Sequence, residues 1–337
     1  MNKIKFGIAG VGRMGSIHLE NLVTKFQDAE VVAISDINPN INTLAKKFGV
    51  SKVYYQYEDM VNDKEVEALV ICSPTNFHAN HIILAAKAGK QIFCEKPMDL
   101  SLETVKEVLE IVEAAGVKLM IAFNRRFDPN FKKVQRIVSE GKIGKPQVVK
   151  ITSRDPGPPP VSYIKVSGGL FLDMAIHDFD MARFMVNHEV EEVYATGAVF
   201  VDPEIEKAGD IDTAVTTLTF KNGTIAVIDN CRKAAYGYDQ RLEVFGDSGM
   251  CGSENKLHDN NFHYDANGVH TALPLDFFTD RYADSYFNEM RAFIECLKNN
   301  EAPPTNGHDG IMSLAIGLAA KKSLKENRPV KLTEIYS

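Results

Sequence analysis

The chain has 337 residues, long enough for two domains rather than one. Its composition is that of a globular protein, 45% hydrophobic and 25% charged, and a net charge of −7 argues against a nucleic-acid or anionic-membrane partner. The sequence has no run of about eighteen apolar residues, opens directly into a strand pattern without a signal peptide, and has no CxxC or zinc-spaced His/Cys cluster; no membrane span and no metal are expected, and a reduced cytoplasm is the simplest setting for its five scattered cysteines.

Ile4–Ala9 reads as a buried strand and runs into Gly10-Val-Gly12-Arg13-Met14-Gly15, after which Ile17, Leu19, Leu22, Val23 and Phe26 fall at helical spacing. A GxGxxG between a strand and a helix is the context in which the motif binds a dinucleotide. The first glycine makes the turn, the second admits the pyrophosphate, the third lets helix and strand pack, and the helix N-terminus offers N–H groups to the phosphates. The next strand, residues 31–36, ends in Asp36, about 20 residues beyond Gly15, where a carboxylate takes the ribose 2′-hydroxyl of NAD and repels the 2′-phosphate of NADP. Strand and helix then alternate. Helices are expected near 44–48, 57–61, 79–88 and 102–115, and strands at 53–55, 68–72, 91–94 and 118–123, which makes a doubly wound parallel sheet over residues 1–123. Its ligand side is the carboxyl end of the strands. There lie Gly10–Gly15, Asp36, the expected loop 73–78 with Ser73, Thr75, Asn76 and His78, and Glu95-Lys96-Pro97. Pro97 fixes the turn after Lys96 and admits the cis form.

Residues 124–337 read as a second, α+β domain. A helix at 130–139 and a strand at 147–153 precede the proline-rich loop 155–160. Strand-like runs follow at 190–201, 214–220, 224–231 and 241–245, with Asn222-Gly223 as a hairpin turn. Together with 250–253 and 261–275 they suggest one large, mostly antiparallel open sheet. Helices are expected at 280–297 and 310–324. One face of the sheet would lie under helices; the β-branched residues of the other suggest an interface in a homo-oligomer, a dimer or tetramer.

The stretch 168–180, Gly-Gly-Leu-Phe-Leu-Asp-Met-Ala-Ile-His-Asp-Phe-Asp, reads as a glycine turn opening a helix. On one helix Asp173 and His177 stack on the same face, and a histidine beside a carboxylate is equipped as a general base near neutral pH. An ordinary acidic helix start with a packed histidine would look the same in isolation.

With GxGxxG, Asp36, Glu95-Lys96-Pro97 and Asp173…His177-Asp178 in this order, the sequence resembles the Gfo/Idh/MocA oxidoreductase family over nearly its full length. The resemblance implies a Rossmann domain binding NAD, and a site in which Lys96, Asp173 and His177 face the nicotinamide and the substrate. Asn124-Arg-Arg-Phe, Ser153-Arg-Asp-Pro, the segment 173–183 and Tyr236-Gly-Tyr-Asp-Gln most resemble the inositol-oxidising branch. That implies oxidation of a ring secondary alcohol of a polyol, myo-inositol first, with Asn124, Arg126, Asp155 and Tyr236 as candidate hydroxyl-binding residues. Two other readings stay open: a dehydrogenase or reductase of another sugar or inositol isomer, and a non-catalytic NAD-binding sensor, which would have no need of all three catalytic residues.

Overall fold

The structure, a computed structural model, describes residues 3–336. Two compact units are present, the first made of residues up to Asn124 together with Tyr286–Met312, the second of Arg125–Ser285 and Ser313 onward.

The first unit is built on six parallel strands: β1 (Ile4–Ala9), β2 (Ala29–Ser35), β3 (Lys52–Tyr54), β4 (Ala68–Ile71), β5 (Gln91–Cys94) and β6 (Leu119–Ile121). Their order, β3-β2-β1-β4-β5-β6, reverses between β1 and β4 and opens a crevice at the carboxyl ends there. The central strands carry unbroken apolar runs, as a sheet covered on both faces requires. The crossover helices are α1 (Arg13–Lys25), α2 (Ile41–Phe48), α3 (Tyr57–Val61), α4 (Thr75–Lys87) and α5 (Leu102–Ala115). α5 has the limits its sequence dictates: the Ser101 hydroxyl accepts from Thr104 N, and Gly116 closes the helix in the left-handed region at φ 65°. α4 differs from expectation. It starts at Thr75, so Thr75, Asn76 and His78 lie in its first turn rather than in a loop.

The second unit holds α6 (Pro129–Ser139), α7 (Val161–Ser167), α8 (Ile176–Val186), α9 (Pro203–Lys207) and α10 (Phe278–Arg281) around a seven-stranded sheet. Its strands are β7 (Pro146–Arg154), β8 (Val190–Ala198), β9 (Thr213–Phe220), β10 (Ile225–Cys231), β11 (Asp239–Gly246), β12 (Gly249–Ser253) and, beyond a separate pair, β15 (Val330–Lys331). The order is β12-β11-β7-β10-β9-β8-β15. All neighbours are antiparallel except β7 and β10, which run parallel. Burial alternates strictly along β9 and β10, so one face is covered and the other open. The segment expected to extend this sheet, 261–275, does not: β13 (Phe262–Asp265) and β14 (Gly268–Thr271) pair only with each other, and every residue in them is exposed.

The largest departure from the expected boundary is helix α11 (Ala283–Asn299), expected in the second domain. From Tyr286 on it belongs to the first unit, where Phe293 meets Phe6 and Phe93 with ring centroids 6.3 and 5.7 Å apart and Phe287 stacks on Phe26 at 4.9 Å. The chain then crosses edge strand β6 through Ile121 N to Thr305 O (3.1 Å) before α12 (Gly307–Glu326).

Candidate active site

In the first unit the glycines stand as their motif requires. Gly10 has φ +80°, and a Cβ there would lie 2.6 Å from the Cys72 carbonyl oxygen; one on Gly15 would lie 1.9 Å from the Gly10 oxygen. Gly12, capping α1, faces open space, and Arg13 and Met14 form the first turn of that helix. Asp36 directly follows β2. Its carboxylate accepts from Val11 N and Asn38 N, both at 2.8 Å, which fixes it against the glycine turn while leaving lone pairs for further donors. These features fit NAD: Gly10–Gly15 and the start of α1 would hold the pyrophosphate, and Asp36 the ribose hydroxyls.

Ser73 follows β4, and its hydroxyl lies 3.0 Å from His81 Nδ1. Thr75 is half-buried and Asn76 exposed. His78 is buried, with Nδ1 2.8 Å from the Pro97 carbonyl oxygen and Nε2 2.6 Å from that of Ser73. Burial disfavours the charged ring, so its single ring proton can be donated to only one of these two carbonyl oxygens; the ring faces backbone, where the sequence expected a cofactor contact. Glu95 and Lys96 follow β5, and the Lys96–Pro97 bond is cis. Asn124, at the end of the unit, is buried, and its Nδ2 has no hydrogen-bond partner among the described residues.

In the second unit the expected single helix over 168–180 is two elements. Leu170–Met174 forms a π-helical turn, and α8 begins only at Ile176. Wide turns of this kind occur where a side chain must be re-aimed. The double glycine serves the protein itself: Leu170 N donates to Asp210 Oδ2 at 2.9 Å, and a Cβ on Gly169 would lie 2.5 Å from Asp210 Oδ1. Asp173 sits in the π turn and is held from two sides, by the Tyr163 hydroxyl (3.0 Å) and by the Arg232 guanidinium (3.2 Å). The same guanidinium lies 3.6 Å from Asp155 Oδ2. Strand register explains the cluster: Arg154 on β7 pairs with Cys231 on β10, and because the strands run parallel, Asp155 and Arg232 leave the sheet side by side. Burial, and then the Asp173 charge, push the Asp155 carboxyl up to about 6, while Arg232 and Arg125 oppose them. His177 lies in the first turn of α8.

A buried network underlies this cluster. Arg125 pairs with Asp178, whose second oxygen accepts from Asn230 Nδ2 at 2.8 Å, and Arg125 also donates to Ser153 Oγ at 3.2 Å. Gln240 joins Ser153 (3.1 Å), and the Tyr282 hydroxyl donates to Gln240 (2.9 Å). Arg126, expected at the substrate, makes a two-pronged pair with Asp180 (2.8 and 2.5 Å). The Asn-Arg-Arg-Phe motif therefore pairs with His-Asp-Phe-Asp through its two arginines, and Asp178 and Asp180 are structural. Tyr236 is also engaged elsewhere: its hydroxyl donates to Asp239 at 2.6 Å and accepts from Arg154 at 3.0 Å. Tyr163 and Arg232 had no sequence signal.

Asp155 yields a pH test with a definite sign. Its folded pKa, about 6, lies above the ordinary 3.8, so its contribution to stability is complete below pH 3.8 and is lost as pH rises toward 6. The Tm difference between Asp155→Asn and the native protein is expected to shift in the variant's favour across that window and hold constant above it. A difference independent of pH from 3.8 to 6 would show that Asp155 keeps an ordinary pKa.

Fold and site together define an NAD-binding oxidoreductase. Residues 4–123 match the oxidoreductase family with NAD-binding Rossmann fold, and residues 131–251 the GFO/IDH/MocA C-terminal domain; the chain belongs to the GFO/IDH/MocA family and is an NAD-dependent dehydrogenase. It is similar to a myo-inositol 2-dehydrogenase of Thermotoga maritima, 50% identical over 98% of this chain and 99% of the relative. It is also similar to an inositol 2-dehydrogenase of Rhizobium meliloti, 42% identical over 98% and 99%. Among solved structures, scyllo-inositol dehydrogenase from Lactobacillus casei, with bound NAD(H) and scyllo-inositol, superposes with a TM-score of 0.92 at 30% identity, covering 98% of this chain and 100% of that one. No helix among the described residues is long and apolar enough to cross a membrane.

Proposed function

We propose that the protein oxidises the carbon-2 hydroxyl of myo-inositol to the ketone, with NAD+ as acceptor. The observation that carries this reading is the 50% identity to a myo-inositol 2-dehydrogenase over 98% of the chain; the motif resemblance of the sequence supplies Lys96, Asp173 and His177 as its site residues. Bound NAD+ supplies the hydride acceptor. His177 takes the hydroxyl proton, Asp173 orients the alcohol and supports the imidazolium, and Lys96 hydrogen-bonds the reacting oxygen and stabilises its developing negative charge. Arg232 holds Asp173 and Asp155 aimed, so both can accept from ring hydroxyls; a polyol presents hydroxyls all round and needs such acceptors. Adding myo-inositol, scyllo-inositol and common aldoses separately to enzyme and NAD+, and following NADH absorbance, tests the assignment. Myo-inositol should give the highest kcat/KM; a higher value for scyllo-inositol or an aldose would reassign the substrate.

The cofactor preference follows from Asp36. A carboxylate there repels a 2′-phosphate, and Asp36→Ser should raise kcat/KM for NADP relative to NAD by about tenfold or more, one charge contact being worth roughly 1–2 kcal/mol. Equal use of both cofactors by the native enzyme would contradict this.

The open face of the large sheet is proposed to be covered by another copy of the chain, giving a dimer or tetramer. Tyr194, Val215, Ile225, Phe245 and Met250 are exposed there, more apolar surface than a solvated strand face needs. Light scattering at micromolar concentration should give a multiple of the chain mass; a monomer would overturn it. Five free cysteines, two of them buried, suit a reducing compartment such as the cytoplasm.

A further inference from the structure

Two buried imidazoles in the first unit grip the turn that carries Lys96, one at each end. His18, on α1, is fully buried, with Nε2 3.1 Å from Glu95 Oε1. Its ring packs edge-on against Phe93 (centroids 5.1 Å apart) and Tyr286 (6.1 Å). Nδ1 has no hydrogen-bond partner among the described residues, which favours the tautomer whose proton sits on Nε2 and is donated to Glu95. The Oε1 atom of Glu289, on α11, lies 4.0 Å from the same Nε2; this carboxyl is completely buried and neither oxygen has a hydrogen-bond partner among the described residues. Burial, and then the neighbouring Glu95, push its carboxyl well above the usual carboxylate range; at 3.1 Å against 4.0 Å, Glu95 is the acceptor for His18.

At the other end of the turn, His78 reaches the Pro97 carbonyl with Nδ1 (2.8 Å) and the Ser73 carbonyl with Nε2 (2.6 Å). Burial disfavours the charged ring, so its one N–H is donated to one of the two carbonyls at a time, and the ring stands packed between the turn and the loop after β4. The residue before Lys96 and the residue after it are each held by an imidazole shielded from solvent. Burying polar rings in a parallel-sheet crevice costs free energy that an apolar side chain would not. Fold stability alone does not account for two of them converging on one tripeptide.

We infer that His18 and His78 are positioning residues for Lys96, fixing its backbone so that the ammonium meets the reacting oxygen in one orientation. The inference rests on the role proposed above for Lys96. A side chain held within a fraction of an ångström by surrounding hydrogen bonds is what preorganised catalysis requires.

The test is a double-mutant cycle on the full-length enzyme, reading kcat for myo-inositol, the Kd of NADH by fluorescence, and Tm. His18→Leu and His78→Phe should each lower kcat by roughly 10- to 100-fold while the Kd of NADH changes by no more than about threefold. His18→Gln, whose amide nitrogen can occupy the place of Nε2, should recover kcat to within about threefold of native. In a Lys96→Ala background neither histidine substitution should cost more than about a further twofold, because residues acting through one group are not additive. A native kcat in His18→Leu, failure of His18→Gln to improve on it, or full multiplication of the losses would overturn the inference alone. A native kcat in Lys96→Ala would instead remove the role of Lys96, and the inference with it.

Discussion

Lys96→Ala and His177→Ala should each lower kcat by roughly 10²–10⁴, the range for removing a positioned acid–base or charge-stabilising group. The two losses should differ in character. His177 is assigned the hydroxyl proton, so kcat/KM for oxidation in the native enzyme should rise with pH through one acidic limb and then flatten. His177→Asn should abolish that limb along with most of the rate. Ketone reduction needs the same group protonated and should fall as pH rises through it. Lys96 contributes charge rather than a proton acceptor, so Lys96→Ala should slow turnover and leave the limb in place. NADH binding, by fluorescence, should persist in His177→Ala. Native turnover in either variant would remove that residue from the mechanism.

The second large effect is on stability. Asp178 and Arg125 form an ion pair with almost no solvent contact, and Asn230 completes the carboxylate's hydrogen bonds. Removing one partner of such a pair strands the other's charge, a loss of about 3–5 kcal/mol. Asp178→Leu should therefore lower Tm by many degrees and deplete folded protein. Adding Arg125→Met should restore much of that loss, since an apolar pair has no uncompensated charge. If Asp178→Leu melts with the native protein, the network is incidental. If the double variant melts lower than Asp178→Leu, the pair stabilises beyond mutual neutralisation.

Local signals carried the first unit. Ser101 and Gly116 bound α5 by capping chemistry that depends on those residues alone, and Gly10, Gly15 and Asp36 announce a cofactor cradle because turn geometry and close packing admit few alternatives. What stayed hidden was long-range. The apolar stripe of α11 shows that the helix is covered but not by which sheet, and Phe293 lies nearly 300 positions from Phe6. Arg232 became legible only through the parallel pairing of β7 and β10, which sets it beside Asp155. The pairing of Arg126 with Asp180 was not legible, because a free arginine and a paired one read alike in sequence. Asp173 and His177 were read as stacked on one helix, but nothing in their spacing signalled the π turn that holds Asp173 ahead of α8.

The most direct test of the account is the fate of one hydrogen. Myo-inositol deuterated at carbon 2 should be incubated with the enzyme and NAD+, and both products examined by NMR. The proposed function requires deuterium on the nicotinamide ring of NADH and a ketone at carbon 2 of the inositol. Unlabelled NADH with a ketone at another carbon, or inositol returned with its label intact, would contradict it.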